Sequence, residues 1–96
     1  MDFQEFEKAV NTRKKPEKLS PYLEAMYEDG IGDWEKAHEI AQHINDSTGD
    51  LIHAYLHRKE GDRWNANYWY ERAGRKIPQT SLEEEWKAII KELLNN

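Results

Sequence analysis

The chain has 96 residues, 38% of them hydrophobic and 34% charged, with a mean hydropathy of −1.08 and a formal net charge of −5. That length fits a single domain with a thin stability margin, since such a body buries only about two thirds of its unfolded surface. The acidic balance excludes a nucleic-acid partner, which needs a basic field, and the absence of cysteine excludes disulfides, thiolate nucleophiles and Cys-based zinc sites.

The chain begins Met1-Asp2-Phe3-Gln4-Glu5, acidic and amphipathic where a secretory signal would be basic and then continuously apolar. No span is long and apolar enough for a bilayer, so the expectation is a cytoplasmic protein with no membrane partner. Asp2 suits the cap of a first helix in which Phe3, Phe6 and Val10 recur at helical spacing, and Pro16 limits it. Residues 1–18 therefore read as an N-terminal helix and linker that pack as a lid. The basic run Arg13, Lys14, Lys15 and Lys18 reads as a solvated helix end.

Ser20-Pro21 starts a second helix that runs to about Asp29, because proline suits the first helical position. Gly30 and Gly32 break it, and Asp33 caps a third helix with Trp34, Ala37, Ile40, Ala41 and Ile44 on one stripe. These residues form a first hairpin over 19–48. Asn45 to Gly49 is a cluster of turn formers, which predicts that Thr48 or Asp50 opens the fourth helix, through Leu51, Ile52, Tyr55 and Leu56. Gly61 ends that helix, and Asp62 caps a fifth over Arg63 to Ala73, stopped by Gly74 and Pro78. The second hairpin is thus 49–79. Ser81 with Glu84 forms a capping box for a last helix, a capping segment over 80–96. Leu82, Trp86, Ile89, Ile90 and Leu93 form its apolar face, and Glu83, Glu84 and Glu85 read as first-turn residues favoured by the helix dipole. No stretch alternates with period two for long, so the predicted fold is all-α: two tandem antiparallel helical hairpins with a helix at each end, in one domain over 1–96.

The two hairpins also match each other. Gly32-Asp33 with Ala37 returns 29 residues later as Gly61-Asp62 with Ala66, and Tyr22, Leu23, Ala25, Met26 and Tyr27 fall on Leu51, Ile52, Ala54, Tyr55 and Leu56. Such self-similarity marks stacked units that bury a continuous core by leaning on neighbours. In the second unit Gly61, Asp62, Ala66, Tyr70, Ala73 and Pro78 stand at the relative spacings of a tetratricopeptide repeat's second half, so the chain resembles that family. Gly32, Asp33 and Ala37 match in the first unit, where Ala41 and Ile44 replace the aromatic and the second small residue; the family's leading Trp and following Tyr have no counterpart. The resemblance implies a helical array that binds a partner. The stretch His53-Ala54-Tyr55-Leu56-His57-Arg58-Lys59-Glu60-Gly61-Asp62, with Asn65-Ala66 and Tyr68-Trp69-Tyr70, also resembles a group of small, mostly bacterial proteins, and implies no mechanism.

Two constellations are candidates for chemistry. His53 and His57 lie four apart on the fourth helix, and folding the third helix back through a turn near Ser47 brings His38 to the level of His57. Converged, the three histidines admit zinc or another transition metal, with Asp50 or Glu60 as an acidic member. The competing reading is three hairpin histidines bonded to backbone or carboxylate groups, with His43 a surface residue.

The second constellation is the aromatic excess of the fifth helix. Ala66, Tyr70 and Ala73 face the fourth helix while Trp64, Tyr68 and Trp69 point elsewhere, so the last helix and the N-terminal helix cover them, or they line a concave groove flanked by Arg72 and Arg75. Asn65 and Asn67 are poor helix formers inside a helix. No phosphate loop, dinucleotide fingerprint or His-Glu-x-x-His motif is present, and Ser20, Ser47 and Ser81 read as caps or turn residues. The expected function is a small helical-repeat interaction module that takes a protein, peptide or small ligand at Trp64, Tyr68, Trp69, Arg72, His53 and His57. The alternative is a metal-binding protein or enzyme using His38, His53 and His57. Two repeats are few for a stable array, so the flanking helices cap it or the chain forms a homodimer through the last helix.

Overall fold

Each of the six helices opens on a side chain that accepts a hydrogen bond from a backbone N–H in its first turn, a group the helix itself leaves without a partner. The caps are Asp2, Ser20, Asp33, Asp46, Asp62 and Ser81. The computed structural model describes residues 1–95, with α1 (Phe3–Thr12), α2 (Pro21–Gly30), α3 (Trp34–Gln42), α4 (Ser47–Glu60), α5 (Arg63–Ala73) and α6 (Leu82–Leu94), and no strand among those residues. Asn96, the end of the expected capping segment, lies outside the described residues. The all-α expectation and the hairpin pairs α2–α3 and α4–α5 hold.

One helix start differs from expectation. α4 begins at Ser47, capped by Asp46, whose side chain accepts from Gly49 N at 2.8 Å, so the serine, threonine and glycine read as turn formers are the first helical turn. Gly49 is required there for space: a Cβ would stand 2.6 Å from the Ile44 carbonyl oxygen. The stripe of α3 is shortened for the same reason, since Ile44 lies past Gln42 in the connection.

The two hairpin turns use the same local chemistry. Gly32 and Gly61 both take a positive φ, 94° and 89°, which a residue with a Cβ rarely adopts, and an aspartate cap follows each. Ala37 and Ala66, four residues past those caps, are both buried, as are Ala25 and Ala54 on the preceding helices. Small residues at these positions let each pair of helices approach closely.

Helices α2, α4 and α6 contact one another and form the centre of the molecule. On α4 the whole run Leu51–Leu56 is buried, which is why its apolar pattern lacks one clean face. α1 lies over α6 as the expected lid: Phe3 and Phe6 each sit 6.2 Å from Trp86, whose indole donates to the Met26 carbonyl at 3.2 Å. Phe6, completely buried here, contributes about 1.5–3 kcal/mol. Part of the apolar face of α6 enters the same core, with Ile89 and Ile90 buried.

Three carboxylates are buried as well, and the sequence did not mark them. Asp29, 1% exposed, accepts from the Tyr55 hydroxyl at 3.0 Å and from Lys59 at 2.9 Å. Glu85 is no simple first-turn residue: it accepts from Arg58 at 2.7 Å and from the Tyr70 hydroxyl at 2.6 Å. Glu28 accepts from Lys15 at 2.8 Å. Burial and the neighbouring carboxylates push the Tyr55 and Tyr70 hydroxyls well above the ordinary phenol range, so both remain donors.

Gly49→Ala tests the unexpected helix start. Its Cβ must displace Ile44 backbone, so urea unfolding should show a loss of about 1–3 kcal/mol, although alanine is the better helix former; unchanged stability would contradict the close approach.

Candidate metal centre

Trp34 ties the third helix to the fourth. Its indole Nε1 donates to the Leu56 carbonyl of α4 at 2.8 Å, and one turn further along α3 His38 stacks on that indole, with ring centroids 4.9 Å apart and planes within 9°. His53 and His57 share a side of α4 because four residues make little more than one turn. Their rings stack at 4.8 Å, and His38 meets them edge-on at 4.6 and 5.1 Å. Nε2 of His38 lies 2.9 Å from Nε2 of His53. From α5, Trp69 stacks on His53 at 3.9 Å and 16°, and the Arg72 guanidinium lies 4.9 Å from the Trp69 ring centre.

The three imidazoles therefore converge, and one nitrogen from each lies within 4.8 Å of the others. His57 Nδ1 is 2.8 Å from Glu60 Oε1, so in the neutral ring Nδ1–H donates to the carboxylate and Nε2 presents its lone pair. A carboxylate behind a histidine in this way fixes the tautomer and raises ligand basicity. Zinc–nitrogen bonds of about 2.0–2.1 Å place tetrahedral donors about 3.3 Å apart, so the His38–His53 pair at 2.9 Å would open slightly around an ion while wider pairs, up to 4.8 Å, would close.

Electrostatics favour the ligating form. Burial, reinforced by His38, His57 and Arg72, lowers the His53 pKa from its ordinary 6.5 to about 4. Burial also lowers that of His38, with His57 acting in the same direction and Glu60 against it. Neutral imidazoles are the state that binds metal, and their desolvation cost is largest when protonated.

Not every expected residue joins the cluster. Glu60 does, whereas Asp50 turns to Arg72 at 3.7 Å. Glu60 and Asp62 also group with His57, but Asp62 accepts from Asn65 N at 3.2 Å and Asn65 Nδ2 at 2.7 Å, which makes it a helix cap and explains Asn65 inside α5. His43 is an exposed residue bonded to the Glu39 carbonyl. Trp69 leaves the aromatic stripe for the histidines, while Trp64 is 78% and Tyr68 46% exposed. The covering of α5 by the terminal helices is thus corrected for those two rings: α1 and α6 are packed on each other and on the α2–α4 core instead. The concave groove also loses Arg75, which pairs with Glu92 of α6. Trp34 is the site residue missed in the sequence, where it read as core; its position four residues before His38 is the signal that finds it.

No protein-family model matches the chain, and no curated protein or solved structure matches it.

The depressed His53 pKa links stability to pH. As pH falls below 6.5 the unfolded chain takes up a proton that folded His53 refuses until about pH 4, so stability present at neutral pH is lost across that window, by about 3 kcal/mol at its lower end. Proton NMR of the imidazole should place the His53 titration near pH 4, and chemical denaturation of His53→Gln should show a flatter dependence between pH 6.5 and 4 than the parent chain. A His53 midpoint near 6.5 would contradict the buried, neutral assignment.

Proposed function

We propose that this protein binds a divalent transition metal, zinc foremost, through His38, His53 and His57. The observation that carries the reading is the 2.9 Å approach of two Nε2 atoms from different helices, beside a third imidazole oriented by Glu60. Three nitrogen donors without thiolate or carboxylate in the inner set suit zinc, copper or nickel rather than magnesium or calcium. Three protein ligands also leave a coordination position open, the arrangement of catalytic rather than structural zinc sites, and a metal held so supplies Lewis acidity and an acidified water. The chain's own part is to keep His38 and His53 neutral, hold the imidazoles with the Trp34 and Trp69 rings, and orient His57 through Glu60.

Equilibrium dialysis of untagged protein against zinc tests this. One equivalent should bind with a rise in melting temperature; His57→Ala should abolish it and Glu60→Gln should weaken it about 10–100-fold. Absence of both binding and thermal shift in the parent chain would remove the proposal.

A second reading has its own observation, the Trp64 ring 78% exposed on α5 with Tyr68 one turn on. We infer that this stripe, continued by Arg72, takes a protein or peptide partner, as the tetratricopeptide resemblance implies; Trp, Tyr and Arg are the residues that dominate such contacts. Trp64→Ala should leave stability within about 0.5 kcal/mol, as expected of an exposed side chain, yet abolish co-purification of any partner recovered with the parent chain. Retained co-purification would sink this reading and leave the metal proposal standing.

A further inference from the structure

Arg72 differs from Arg58 and Arg75 in how little of its guanidinium is engaged. Arg58 donates to Glu85 and to the Thr80 carbonyl, and Arg75 forks onto Glu92, so each has two donors committed to protein oxygen. Arg72 makes one long hydrogen bond, 3.4 Å to the Tyr68 hydroxyl, and a loose pair with Asp50 at 3.7 Å. It is nevertheless held in place, its guanidinium 4.9 Å from the Trp69 ring centre and 5.9 Å from that of Tyr68. A guanidinium carries five N–H donors in a planar fork matched to a carboxylate. Positioned by aromatic rings, with most of that fork unused among the described residues, Arg72 has donors free for an anion.

The fork borders a cavity of about 390 Å³ between the α3–α4 connection and α5, walled by His53, Trp69, Asp50, Ile44 and Gln42. That volume suits a small molecule. The field of Arg72 reaches His53, where it helps hold the ring neutral. The charges on the wall narrow the ligand class. Asp46 and Asp50 face one arginine, so the wall is net negative and disfavours a dianion such as phosphate. Asp46 is committed to capping α4 and to the Tyr22 hydroxyl, whereas among the described residues the one charged partner of Asp50 is the loosely paired Arg72. A ligand carboxylate that takes the Arg72 fork releases Asp50 for a cationic group.

We propose that this cavity binds a small zwitterion of the amino-acid type, its carboxylate on Arg72, its ammonium on Asp50 and its apolar part against Trp69 and Ile44. The subsite touches the metal centre through His53 but does not rest on the metal reading, so it is tested on metal-free protein. Nitrogen-15 spectra of the full chain, reading the Trp69 indole and Arg72 Nε resonances, would be followed against leucine, 4-methylpentanoate, 3-methylbutylamine and inorganic phosphate. Leucine should move both resonances at least about tenfold more tightly than either single-charge analogue, since each charge-assisted hydrogen bond contributes about that factor. Arg72→Gln should abolish the responses to leucine and 4-methylpentanoate, and Asp50→Asn should bring leucine down to the level of 4-methylpentanoate. Equal affinity for leucine and 4-methylpentanoate, tighter binding of phosphate, or no response to any probe would overturn the proposal. None of these outcomes depends on whether zinc binds, so failure here and failure of the metal reading are separately visible.

Discussion

The enclosure of α4 governs the molecule. It packs against α2, α3, α5 and α6, so every polar group it buries must find a partner inside the protein or in a neighbouring helix. Arg58 and Lys59 answer carboxylates on α6 and α2, Tyr55 answers Asp29, and His53 and His57 turn to His38 and Glu60. Among the described residues no buried side-chain nitrogen or oxygen is left without a partner.

The polar partners inside the core divide into two kinds. Asp29 and Glu85 are each met by both a tyrosine hydroxyl and a cationic side chain, which compensates their desolvation by hydrogen bonds as well as charge. These groups are saturated and join helices that are far apart in sequence. The histidine cluster is different: its members meet one another, two indole rings and, at His57, the Glu60 carboxylate, and burial penalises protonation of His53 and His38. Two imidazoles that burial holds neutral, converging with a third that Glu60 orients, suit a Lewis acid in their midst, which separates a candidate site from the structural network beside it.

The aromatic residues on α5 show how a helix serves two purposes. Ala66 and Tyr70 bind it to the core, Trp69 is turned to the histidines, and Trp64 remains in water. Four residues separate Trp64 from Tyr68, while Trp69 lies a further 100° around the helix. That angular difference assigns Trp69 to the histidine cluster and its neighbours to an outer surface.

The sequence by itself determined the six helices, five of their caps and the hairpin turns, because a cap joins residues three apart and a left-handed glycine acts on its own backbone. It misjudged the start of α4, where Ser47, Thr48 and Gly49 suit a turn and a first helical turn equally, and only the close approach of Ile44 to Gly49 separated the two. It placed His53 and His57 on one side of a helix, a consequence of helical pitch. Whether His38 met them was decided by tertiary structure, since that distance depends on how closely α3 approaches α4 and on the Trp34 bond to Leu56. The buried states of Asp29 and Glu85 were decided there too, as no local pattern distinguishes an acidic residue facing a partner helix from one facing water.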